Sequence, residues 1–346
     1  MGRFVARSAS ISLGAAWALL LGLGLPARAD VTLTMNVAMP RASSFFVGLQ
    51  QPWAQLVEKE SNGRIKIVMP AATMAPLSRQ WEVVTSGIAD IAESPSEYIR
   101  ERVKLPEIAE IPFLSPNGVA ASVAVWRAYQ KYFAAAHEYK GVHLIGFWTT
   151  GGNNLQTLKR PILKIDDFQG LKSWTATPNM AKTIQNFGAT PVLGMQMFDA
   201  MSGGIVDGAV AGKGALISFQ LSRYTREMTF FQGQLGYTLQ SFFMNQKKYD
   251  SLAPQDRAVI DKFSGESLAL LGAQGFIDQD NHADPLIKEN GIQTHQASPE
   301  FMAVLRERVR FYKDNWLADA KARGIDGPAA YDFFVKTAQE TAGLMK

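Results

Sequence analysis

The chain has 346 residues, with 35 lysines and arginines against 31 aspartates and glutamates, four histidines and no cysteine. Without cysteine it has neither a disulfide framework nor thiolate metal sites. Arg3, Arg7 and Arg28 fall in the first 29 residues, which hold no acid, so the net charge of +4 drops to +1 beyond them. That balance gives no ground for nucleic acid or an anionic membrane surface as a partner.

Those 29 residues read as a secretory signal. Arg3 and Arg7 make the positive start, Ile11 to Leu25 the apolar stretch, and Leu25-Pro26-Ala27-Arg28-Ala29 an Ala-x-Ala cleavage site before Asp30. The apolar run is shorter than the ~20 residues of a spanning helix, so removal near Ala29 is expected, followed by release into the periplasm with no stable membrane insertion. Taking 29 residues from 346 leaves 317, more than one hydrophobic core usually serves, and two domains are expected.

Val31 to Ala38 alternates as a first strand. Pro40 to Ser44 is a turn before a helix whose apolar stripe is Phe45, Phe46, Leu49, Trp53, Leu56 and Val57. Ser61-Asn62-Gly63 stops that helix, and Ile65 to Met69 is a second strand. Ser78 to Ser86 reads as helix and Gly87 to Ala92 as a strand. Val119 to Tyr139 reads as one long helix and Val142 to Thr149 as a strand. Gly151-Gly152-Asn153-Asn154 then breaks the pattern and marks a crossing between domains. A second unit follows: a strand closed by Trp174, helix Asn179 to Phe187, strand Thr190 to Leu193, helix Met197 to Met201 and strand Val206 to Ala211. Phe242 to Asn245 returns to the first sheet, and the chain from Pro254 onward is mainly helix. Such alternation predicts an α/β fold of two lobes with largely parallel sheets, a hinge and a ligand cleft between them. The expected division is 1–29 signal, 30–151 with about 238–283 as lobe I, and 152–237 with about 284–346 as lobe II.

One segment stands out: Asp166-Asp167-Phe168-Gln169-Gly170-Leu171-Lys172 followed by Ser173-Trp174-Thr175, then Gly188-Ala189-Thr190-Pro191-Val192 and Gly203 to Gly208. Together these resemble the signature of the substrate-binding proteins of tripartite ATP-independent periplasmic (TRAP) transporters, the DctP-type solute receptors. Ser61 to Ile67, Gly87 to Asp90, Ile111 to Leu114, Lys159 to Ile162 (as a basic-Pro-Ile strand) and Leu252 to Arg257 match further pieces of that family in order. The resemblance implies a periplasmic binding-protein fold and a receptor that captures a small molecule and delivers it to membrane permease subunits. It implies no cofactor, no metal and no catalysis.

The departures fall at ligand positions. The family's carboxylate-gripping arginine after Gly-Leu-Lys-x is Trp174 here, and a second arginine of the family falls at about Asn153. Its polar run after Val-Asp-Gly is replaced by Ala209, Val210 and Ala211. An arginine fork meets a carboxylate with two charge-assisted hydrogen bonds, whereas tryptophan offers a flat apolar face and one N–H. An aromatic or partly apolar ligand, neutral or with one acid group, is therefore expected, with Phe198, Val210 and Trp174 lining the cleft. Arg41, Arg79 and Lys213 are the cations that would restore a site for an ordinary organic acid. Ser94 to Tyr98 follow the third strand, where α/β folds place ligand contacts, and Glu93 would accept from a ligand hydroxyl or amine. The competing readings are a ligand sensor for a signalling partner and a periplasmic enzyme. For the enzyme the sequence offers no nucleophile elbow, phosphate loop or cysteine, and the histidines lack zinc spacing.

Overall fold

The computed structural model describes Met1, Gly2 and Val31–Leu344; the expected signal beyond Gly2 and its cleavage site lie outside these residues. The strands are β1 (Val31–Thr34), β2 (Ile65–Val68), β3 (Ile91–Pro95), β4 (Val142–Thr149), β5 (Asn154–Thr157), β6 (Lys172–Trp174), β7 (Thr190–Val192), β8 (Gly208–Ala211), β9 (Glu227–Phe230), β10 (Leu239–Asn245) and β11 (Gln293–Gln296). They form sheets of two, three and six strands, of which the first two join into one through a single bridge, giving one sheet per lobe. That of the first lobe runs β2-β1-β3-β10-β4, with β1 and β3 joined by a parallel bridge between Met35 and Ile91. That of the second runs β11-β9-β5-β8-β6-β7.

Each sheet is parallel apart from one strand, β10 in the first and β5 in the second. Both exceptions have the same cause. β4 ends at the cleft and the chain crosses into β5; β9 ends at the cleft and the chain crosses back into β10. A strand that enters a sheet from the cleft must run against those that end there. The carboxyl ends of the parallel strands therefore face one another across the cleft, the place where open α/β sheets bind ligands.

The two crossings pair as a ribbon. The Thr150 N–H donates to the Thr238 carbonyl at 3.0 Å, Asn153 N–H to the Gly236 carbonyl at 3.0 Å, and Leu235 N–H to the Asn153 carbonyl at 2.8 Å. Gly236 is in the left-handed region at φ 99°, and a Cβ there would come within 2.6 Å of the Glu110 carbonyl oxygen.

The first sheet is packed on both faces. Trp53, Trp148, Phe242, Met244 and Leu268 fill one side, and Trp81, Tyr139, Phe147 and Phe243 the other. In the second lobe Leu155, Phe168, Phe187, Val210 and Phe231 form one cluster, and Met197, Met201, Ala209, Leu216 and Met228 another.

Four local expectations are revised. The helix expected over Val119 to Tyr139 is α-helical only for Gly118–Ala128, capped by the Asn117 side chain, then loosens to a π turn at Tyr129–Phe133 and a 3₁₀ turn at Ala134–Ala136. The strand expected at Lys159 to Ile162 is Asn154–Thr157, because Pro161 has no N–H for a ladder. The strand expected from Gly87 begins at Ile91, after a turn in which Gly87 has φ 75°. Finally, the helix Gly327–Leu344, expected with lobe II, packs its Ala330, Phe334 and Ala338 into the cluster of Ala120, Ala124 and Phe147 beside the first sheet.

Candidate functional site

Where the strand ends meet, the structure buries polar groups and leaves them unpaired. Glu93 is 1 % exposed, Gln50 0 % and Gln240 1 %. Both carboxyl oxygens of Glu93, both amide atoms of Gln50, Oε1 of Gln240, Nε1 of Trp148, Oγ of Ser44, Oδ1 of Asn154 and Oγ1 of Thr175 lack a hydrogen-bond partner among the described residues. Leaving one such group unpaired costs about 1–3 kcal/mol, so a folded protein keeps few, and a concentration of them marks an unfilled role.

Their placement follows from register. Gln240 pairs with Pro95 on one side and Trp148 on the other, and Phe242 pairs with Glu93. Side chains alternate across a sheet, so Glu93, Gln240 and Trp148 share a face, while Ser94 and Ser241 point to the other. Gln50 closes the helical turn Phe46–Gln50, which lies over the same face. The helix Glu266–His282 seals this region: a Cβ on Gly272 would lie 2.6 Å from Trp148, and one on Gly275 would lie 2.6 Å from Gly48. Across the cleft, Asn154 opens β5 and Thr175 follows β6.

Burial without a cation decides the state of Glu93. Desolvation raises its pKa to about 8, against which the Gln50 amide, a loose partner outside ordinary hydrogen-bond geometry, pulls it down. At neutral pH the side chain is therefore a carboxylic acid able both to donate and to accept.

The residues singled out from sequence fall into three groups. Glu93 is the middle residue of β3, two before its cleft end. Trp174 is half-buried where β6 ends, packs against the cluster of Met197, Ala209 and Met228, and donates its indole N–H to the Met195 carbonyl at 2.9 Å. Asn153 belongs to the crossing ribbon through its backbone, and the neighbouring Asn154 carries the unpaired oxygen.

The second group is core or is committed elsewhere. Val210 is 2 % exposed within the Leu155–Phe168 cluster and lines no opening, because the residue after Gly208-Ala209 on β8 points into the lobe. Ser94, on the wrong face, donates its hydroxyl to the Pro95 carbonyl. Phe198 is exposed and meets Tyr224 edge-on at 5.8 Å.

The three cations form the last group. Arg41 donates to the carbonyls of Met69 and Pro70, both at 2.9 Å, and lies over the Phe46 ring. Lys213 pairs with Asp284 at 2.6 Å. Arg79 is exposed and makes no ion pair among the described residues. Gln50, Gln240, Asn154 and Thr175 were not singled out as contacts in the sequence. The available signal was a glutamine or glutamate at a position that periodicity assigns to the core.

The fold and this cleft define an extracytoplasmic solute-binding receptor of two lobes. The family model for bacterial extracellular solute-binding proteins, family 7 (DctP), matches residues 35–318, and the chain belongs to that family. It is 28 % identical over 321 residues to the outer membrane transporter protein TsaT of Comamonas testosteroni, covering 92 % of this chain and 95 % of that one. A TRAP periplasmic solute-binding protein of Bordetella bronchiseptica, solved with (R)- and (S)-mandelate, superposes with a TM-score of 0.84 at 28 % identity, over 90 % of this chain and 99 % of that one. A marine metagenome TRAP solute-binding protein from an unidentified microbe, specific for aromatic acid ligands and solved with metahydroxyphenylacetate, gives 0.79 at 26 % identity, over 90 % and 99 %. The protein is thus a TRAP-type solute receptor. Among the described residues no helix is long and apolar enough to cross a membrane.

Proposed function

We propose that the receptor captures a small aromatic or partly apolar molecule carrying at most one carboxylate, and delivers it unchanged to the membrane permease subunits of a TRAP transporter in the periplasm. Cleavage after Ala29 would release it there. The observation that carries the ligand class is the character of the cleft walls. They present neutral amides, hydroxyls, an indole N–H and a buried carboxyl, while Arg41 and Lys213 are held by other groups and the signature arginine is Trp174. A dicarboxylate taken into such walls would carry two charges out of water with no cation to meet them, a heavy penalty. An aromatic ring can lie on the Trp174 face with its one acid group toward the N–H and amide donors. The mandelate and aromatic-acid complexes of the two similar receptors lend the same reading support.

Calorimetry on the protein beginning at Asp30 tests this. Benzoate or mandelate should bind at micromolar Kd or better, and succinate at least 100-fold more weakly. Trp174→Ala should weaken the aromatic ligand by ~30-fold, the loss of about 2 kcal/mol typical of an aromatic contact, and lower the unliganded melting temperature through the lost packing and the bond to Met195. Sub-micromolar succinate affinity would instead place the anchor on Arg41, Arg79 or Lys213.

A further inference from the structure

We propose that Glu93, with Gln50 and Gln240 beside it, forms a specificity pocket for a hydroxyl group on the ligand, so that the receptor selects hydroxylated aromatic acids over their unsubstituted parents. The inference rests on the aromatic-acid reading above and adds the feature of the ligand that is read.

The three side chains are at least 99 % buried, and five of their polar atoms have no partner among the described residues. Packing defects do not explain them. Glu93 and Gln240 sit on one face of adjacent strands near the cleft end of the first sheet, against Phe242 and Trp148, where leucine or methionine would fill the same volume. A hydroxyl has one donor and two acceptor positions. It would donate to Oε1 of Gln240 or to the Glu93 carboxyl, and accept from Nε2 of Gln50. A ligand carboxylate fits less well: it accepts only, and would leave Oε1 of Gln50 and of Gln240 unmet while adding a second acid beside Glu93.

Matched pairs test the proposal: 3-hydroxybenzoate against benzoate, and mandelate against phenylacetate, titrated calorimetrically at pH 7 into wild type, Glu93→Leu and Glu93→Gln. A site built to pair a hydroxyl rejects the analogue lacking it by up to 10⁴–10⁵-fold. In wild type at least one hydroxylated member should bind about 100-fold or more tightly than its parent. Glu93→Leu should bring that ratio within about threefold, chiefly by weakening the hydroxylated member, and Glu93→Gln should preserve most of it. Unliganded Glu93→Leu should melt at or above the wild-type temperature, since it removes an unpaired buried carboxyl, and Glu93→Gln close to it; a purely structural Glu93 would give a lower temperature for Glu93→Leu.

Equal binding of both pairs in wild type overturns the proposal. So does a folded Glu93→Leu that loses both members equally, because Glu93 would then hold the common carboxylate, and so does a preference for amino over hydroxy analogues. If no member of either pair binds wild type, this inference and the aromatic-acid reading both fail. Should Glu93→Leu not fold, the wild-type ratios and Glu93→Gln still decide.

Discussion

Lys213 illustrates how a residue can be well placed in sequence and withdrawn in space. It lies between Gly212 and Gly214 just beyond β8, open to a ligand by any local reading, yet its ammonium pairs with Asp284 while the Gly214 N–H donates to Asp280 at 2.6 Å. Asp284 is 59 % exposed, so the pair contributes no more than ~1 kcal/mol. Lys213→Met should therefore lower the melting temperature by only a few degrees and change the Kd of an aromatic acid less than threefold. A tenfold loss of affinity in the folded variant would revive the relocated-cation reading. Glu93 is the converse case. Its position near a strand end suggested a ligand contact, but only the absence of any partner around a 1 % exposed carboxyl gives it weight. Partners come from distant elements, and no spacing along the chain reveals them.

At the scale of elements, the helix Glu266–His282 holds the first lobe's face shut through glycines. Gly275 lies against the backbone of Gly48, with no room for a side chain on either. Gly275→Val should cost about 1–3 kcal/mol by overpacking and lower the denaturation midpoint in urea, with an unchanged slope. If the midpoint did not move, the two segments would have to separate freely, and Gln50 would not be buried as described. The strands that were legible, β2 and β4 among them, carry apolar alternation or an apolar run. β11 reads Gln-Thr-His-Gln, an edge strand with three of its four residues exposed, and β5 reads Asn-Leu-Gln-Thr. Neither shows a hydrophobic period, since β11 is held by backbone bonds at an edge and Gln156 and Thr157 of β5 are hydrogen-bonded within the lobe. The basic-Pro-Ile stretch drew the expected strand five residues too late for the same reason.

Across the whole molecule the buried acids set an unusual dependence on pH. Burial raises Glu93 to about 8 and Glu97 to about 7, and pushes Glu107 and Glu110 up as well, with mutual repulsion adding to Glu107. A carboxyl whose folded pKa lies above its unfolded value binds more protons in the native state. Its stabilising contribution is complete below the unfolded value near 4.5 and is lost as pH rises through 7 to 8. The melting temperature should thus rise as pH is lowered from 8 to 5, and Glu93→Gln should flatten part of that slope. A flat or opposite profile in both proteins would mean these carboxyls are ionised and solvated.

What the sequence determined alone was the class of molecule. Alternating strands and helices, the Asp166–Lys172 signature and Trp174 in the arginine position come from local pattern and order, which a chain carries whatever its fold. The tertiary structure decided the site, because a binding cleft is defined by groups brought together from remote segments and by what each of them fails to touch. Sheet register turned Ser94 away and Glu93 inward, the second lobe's core took Val210, and Asp284 took Lys213. Gln50 and Glu93, 43 positions apart, became neighbours only when a helical turn folded over the first sheet.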